Sequence, residues 1–205
     1  LFAVSGLHVG IIGGTLLFVA LLVRLPKRWA VLIIIPLVLF YAVLTGLRPS
    51  AVRAAIMLSI VLASFAVKEQ PRLLNSLSLA ALLLLAFNPQ QLFLPGFQLS
   101  FAVLFTIITL GDLTRQWLAG PWLSDPFIPK KLLSPARRFK DRFVGTTAAA
   151  LAVSMVAWTG SALPLSWHFQ SVAPVGILAN LIMVPTAWIL VNLAVASFAC
   201  FGLHL

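Results

Sequence analysis

Two arginines, Arg48 and Arg53, bracket a proline and a serine, Pro49 and Ser50, between two long apolar runs. A guanidinium in hydrocarbon costs about 2.5 to 3.5 kcal/mol even on a lenient insertion scale, so it has to reach water, an anion or lipid headgroups. Arg48 stands at the end of its run, where it either snorkels to headgroups or adds charge to an outer mouth. Arg53 lies about one turn into the helix that Pro49 and Ser50 start, where it faces an aqueous cavity at that break or the bundle interior, or else snorkels to the outer interface. There a fixed fork of N–H donors suits phosphate oxygens better than the point charge of lysine does.

A second group, Ser5, Gly6, His8, Gly10, Gly13 and Gly14, lies in the first apolar run. His8 is of the type that titrates near neutrality and could line an aqueous path or move a proton. Ser5 with His8 as base outlines a nucleophile, yet no carboxylate in the spans would orient the imidazole, and an enzyme is not expected. The spacing of Gly6 and Gly10 suits close packing of helices. Gln98 and Ser100 follow the breaker pair Pro95 and Gly96, and Asn180 precedes Pro185. Backbone freed by proline at membrane depth needs protein or water to bond it, so each place reads either as a pore-lining break or as the interfacial entry of a helix. His168, between Trp167 and Phe169, reads as interfacial. Cys200 stands alone and His8, His168 and His204 are far apart, so no metal and no cofactor is expected.

The elements that must position these residues are apolar. The chain is 61% hydrophobic and 9% charged, with a mean hydropathy of +1.10, whereas soluble domains carry about 25% charged residues. Runs 2–23, 29–47, 51–67, 73–87, 97–111 and 143–163 approach or reach the roughly 20 residues that cross a bilayer as helix. Gly46 and Pro49 close the second run and open the third. The stretch 172–205 reads as a short half-helix to Val184, a break at Pro185 beside Asn180, and then a full span. The expected fold is all-α, a polytopic transmembrane helical bundle with broken helices and about seven to eight membrane segments. One transmembrane domain, 1–205, is expected as a piece of a longer protein, since the chain opens inside an apolar run without an initiator Met.

Charge sets the sidedness. The net charge of +10 would suggest a nucleic-acid partner in a soluble chain, but basic residues in short loops first report the cytoplasmic face. With the amino terminus outside, 12 of the 14 Lys and Arg fall inside, Arg48 and Arg53 being the others. The polar stretch 112–142 is then a cytoplasmic basic loop, while 88–94 and 164–174, which lack Lys and Arg, face outward.

Five segments, LFAVSGLHVGI at 1–11, YAVLTG followed by PSAVRAAIM within 41–57, NSLSLAALLLLAFNP at 75–89, PGFQLSFAVLF at 95–105 and PVGILANLIMVP at 174–185, together resemble the competence domain of the ComEC family. The resemblance implies a multi-pass channel of the bacterial inner membrane that takes up single-stranded DNA during natural transformation. Its core would be the SGLHVG helix, the break from Gly46 to Arg53, and the PGFQLSF segment. The implied partners are single-stranded DNA, membrane lipid, an outer DNA-receptor protein, a cytoplasmic helicase-like ATPase and possible further copies in a homo-oligomer. The family often adds an OB-like domain and a metallo-beta-lactamase-like domain; this sequence has neither an HxHxDH motif nor a GxxxxGK[ST] phosphate loop, so driving force would come from a partner or a gradient. Arg48 departs from the smaller or neutral residue expected there. The competing reading is a small-solute or ion transporter with broken helices, in which His8, Arg53 and Asn180 bind or couple.

Overall fold

Backbone N–H and C=O groups at membrane depth must be bonded within their own segment, and apolar runs of this length therefore fold as helices. The computed structural model describes residues 6–66, 72–123, 134–171 and 174–202. Among the described residues there are seven α-helices and no strand: α1 Gly6–Leu22, α2 Lys27–Leu44, α3 Pro49–Ala66, α4 Leu73–Phe87, α5 Pro95–Ala119, α6 Pro135–Phe169 and α7 Gly176–Gly202. Five of them, α2, α3, α5, α6 and α7, are long and apolar enough to cross a membrane. Their outer faces carry large apolar side chains such as Leu32, Leu44, Phe105, Leu163 and Ile182, all exposed on the protein surface. Water would not tolerate so continuous an apolar skin, and lipid requires it.

The helix ends follow local chemistry. At the end of α2 the Gly46 N–H donates to the Val43 carbonyl (2.9 Å) and the Leu47 N–H to the Ala42 carbonyl (3.0 Å). This paired closure needs a left-handed residue, here Gly46 at φ +77°. The same closure ends α1, with Arg24 in the left-handed position at φ 56°. Proline then opens the next helix: Pro49 is the first residue of α3 and Pro95 of α5, a place where its missing N–H has no helical partner to lose. A 3₁₀ turn, Pro89–Phe93, carries the chain from α4 to α5, and the Asn88 side chain accepts from the Gln90 N–H at its start (3.1 Å).

The chain divides into two units, Leu1–Phe97 with Met183–Leu205, and Gln98–Ile182. In the first, α3 packs against α1, α2 and α4. Its core is built from Val9, Ile34, Val38, Ala51, Ala55 and Leu62, and small residues on α3 let its neighbours come close. Within this unit the Thr15 hydroxyl of α1 donates to the side-chain Oδ1 of Asn192 on α7 (2.9 Å). In the second unit α5 and α6 meet at Gly160, where a Cβ would strike the Thr106 hydroxyl and lie 3.0 Å from the Ala102 carbonyl oxygen and from the Val103 Cα.

Three expectations change. Residues 112–142 are not a loop throughout: α5 runs past Gly111 to Ala119, and α6 already starts at Pro135, where the Ser134 hydroxyl accepts from the Arg137 N–H (3.4 Å). A helix leaving hydrocarbon keeps its hydrogen-bond ladder while its side chains become polar. Pro185 does not break the last helix, because α7 continues from Gly176 to Gly202 with Asn180 and Pro185 inside it. Next to the proline, the Thr186 hydroxyl donates back to the Met183 carbonyl (3.0 Å). Gly10 is not a close-packing glycine, since nothing lies within 4 Å of a Cβ placed there; of the same group, Gly13 is the one that packs here, against Leu58 and Val38.

Candidate functional site

The beginning of α3 is where the sequence segments meet. Pro49 opens the helix, and the next turn brings Arg53 to a position flanked by Ala51 and Ala55, both fully buried. Arg53 itself is only 6% exposed. From α1, Gly6 closes on this turn so tightly that an added Cβ would lie 3.3 Å from the Ala54 Cβ and 3.4 Å from the Ser50 carbonyl oxygen. From α5, Gly96 approaches the guanidinium: a Cβ there would lie 3.1 Å from Arg53 Nη2. Phe97, next in α5, is 4% exposed.

Three segments far apart in sequence thus converge on one buried cation, and all three arrive near the described start of a helix. At the starts of α3 and α5, which Pro49 and Pro95 open, the helix dipole adds partial positive charge to the field of the guanidinium. The arrangement suits an anion bearing several acceptor oxygens, phosphate above all. Arg48 precedes Pro49 and is exposed, so its charge stands at the surface of this region.

The other sequence candidates fall elsewhere. His8 is partly buried on α1, and Ser5 lies outside the described residues, as do 67–71 and 124–133. Gln98 and Ser100 belong to the second unit, on the early turns of α5, and Asn180 lies within α7. Gln98 has a partner that residue types alone did not suggest: His168 Nε2 lies 2.8 Å from its Oε1. The available signal was topological, since both residues fall near the face that the charge pattern assigns to the outside. Among the described residues no three His, Cys, Asp or Glu side chains gather as a metal site.

A lipid-facing apolar skin around helices that bury one arginine where helix starts gather defines an all-α membrane protein. The chain belongs to the competence protein family, whose model, described as Competence protein, matches residues 1–205. It is similar to ComE operon protein 3 of Bacillus subtilis (strain 168), with 32% identity over 186 residues, which is 90% of this chain and 20% of that protein. The chain therefore spans a fifth of the length of that relative. No solved structure matches it significantly.

Proposed function

We propose that the chain is the membrane-embedded part of a bacterial inner-membrane channel that passes single-stranded DNA inward during natural transformation. Family membership supports a role in competence, and the observation that carries the mechanism is the burial of Arg53 where the SGLHVG, PSAVRA and PGF segments meet. Transport of arbitrary sequence calls for contacts to the phosphate backbone, which are electrostatic and indifferent to the bases. Arg53 supplies such a contact near the outer end of the spans, and exposed Arg48 raises the local concentration of the strand. An outer DNA receptor delivers the strand, a helicase-like ATPase pulls it from the cytoplasm, and copies of the chain assemble if one bundle does not enclose the path.

The test measures entry of labelled single-stranded DNA into cells that carry the full-length protein in place of a deleted copy, at equal membrane abundance. Removing a charge-assisted contact of roughly 1.5 to 3 kcal/mol predicts that Arg53→Ala lowers uptake on the order of tenfold or more. Arg53→Lys keeps part of the activity, and Arg48→Ala has the smaller effect. Wild-type uptake by Arg53→Ala over a range of salt concentrations would remove Arg53 from the DNA path. Passage of a small solute without DNA, in reconstituted full-length protein, would favour a transporter instead.

A further inference from the structure

Gly96 has no backbone reason to be glycine. It is the second residue of α5, in a helical turn that other residues adopt, and the positive-φ glycine among the described residues is Gly46. In a helix, glycine is weaker than alanine by up to about 1 kcal/mol. What the missing side chain leaves open is the volume beside one group: the three atoms nearest to an added Cβ are Arg53 Nη2 at 3.1 Å, Cζ at 3.8 Å and Nη1 at 3.8 Å. By contrast, a Cβ on Gly10 or Gly14 meets nothing within 4 Å. We infer that Gly96 is a positioning residue, whose absent side chain forms the seat of the Arg53 guanidinium and fixes where its donors stand.

The consequence for transport rests on the DNA-path reading above, while the seat itself does not. A methyl group at 96 asks the guanidinium tip to move by a few tenths of an ångström, and a branched or longer side chain asks for a new rotamer. Arg53 is 6% exposed, so a displaced guanidinium has to be repacked among its neighbours. Small misplacements of a positioned group cost activity steeply, by as much as about a hundredfold for 1 Å. Gly96→Ala is therefore expected to lower uptake about threefold, and Gly96→Leu about tenfold or more.

The decisive comparison uses a lysine at 53. Lysine ends one atom short of the guanidinium tip, so it carries no nitrogen where Nη2 meets position 96, and it keeps the charge. In full-length protein, uptake per inserted molecule and thermal midpoint in detergent are measured for wild type, Gly96→Ala, Gly96→Leu, Arg53→Lys and each position-96 change combined with Arg53→Lys. If Gly96 acts through Arg53, changes at 96 lower both quantities in the arginine protein and leave the lysine protein close to its own starting values. This is a coupling that independent sites do not produce. Equal losses in both backgrounds would make Gly96 a requirement of the α5 start alone and overturn the inference. So would wild-type values for Gly96→Leu. If the thermal midpoints couple while uptake ignores every change at 53, the seat stands and the DNA-path reading fails.

Discussion

Gln98 and His168 are 70 positions apart and meet at 2.8 Å, one on an early turn of α5 and the other in the last turn of α6. The amide Oε1 can only accept, so Nε2 carries the proton and donates. Both side chains are partly buried, and a hydrogen bond there contributes about 1 kcal/mol net. Gln98→Leu and His168→Phe are each expected to destabilise the protein by about 1 to 2 kcal/mol, because each leaves the other's polar group without this partner. The double variant should lose less than the sum, as neighbours in contact do. Chemical denaturation of the full-length protein in detergent, followed by tryptophan fluorescence, reads the comparison; strict additivity would mean that the pair contributes nothing. Arg53 stood out in the sequence because charge inside an apolar run is expensive wherever it occurs. His168 did not, because a histidine near a span end is ordinary until the facing helix is known. Gly96 carried a breaker's signature, and only the position of the Arg53 tip reveals what its smallness accommodates.

At the scale of elements, the helices pack through small residues, and position on the helix decides which of them matter. On α6 six of the seven buried positions, Gly145, Ala148, Ala152, Val156, Gly160 and Pro164, recur at intervals of three or four residues and form one face, Ser154 being the seventh. At Gly160 this face comes so close to α5 that a methyl group would press on backbone atoms, the Ala102 carbonyl oxygen and the Val103 Cα, each at 3.0 Å. Backbone cannot step aside as a side-chain tip can, and overpacking of this kind costs about 1 to 3 kcal/mol. Gly160→Ala is therefore expected to lower the thermal midpoint, whereas Gly10→Ala, pointing into open space, should leave it unchanged or raise it, since alanine favours helix by up to about 1 kcal/mol. A midpoint for Gly160→Ala at or above that of Gly10→Ala would contradict the close α5–α6 approach. The starts of α3 and α5 were readable because proline and glycine act locally on the backbone. The continuation of α5 through Asp112 and Arg115, and of α7 through Pro185, was not. Hydropathy reports where a helix leaves lipid, while the hydrogen-bond ladder ends only where a cap or turn stops it.

At the scale of the whole molecule, the membrane's asymmetry is written in charge. Helix α6 is 35 residues long, about 52 Å at 1.5 Å per residue, against a hydrocarbon core of about 30 Å. One end must therefore stand clear of the hydrocarbon, and its first turns carry Arg137, Arg138, Lys140 and Arg142, all exposed. The other end carries Pro164, Trp167 and His168 without a Lys or Arg. Basic residues next to a span are retained on the cytoplasmic side, so residues 134–142 are expected inside and Gln170 and Ser171 outside. After every native cysteine of the full-length protein, Cys200 included, has been replaced by serine, Ala136→Cys, Lys140→Cys, Gln170→Cys and Ser171→Cys are made singly and treated with a membrane-impermeant maleimide. Intact cells are expected to label positions 170 and 171 and to protect 136 and 140, and permeabilised cells to label all four. The reverse pattern would invert the bundle and place the start of α3, with its buried Arg53, at the cytoplasmic face, where it could receive a strand only after transport and not admit one.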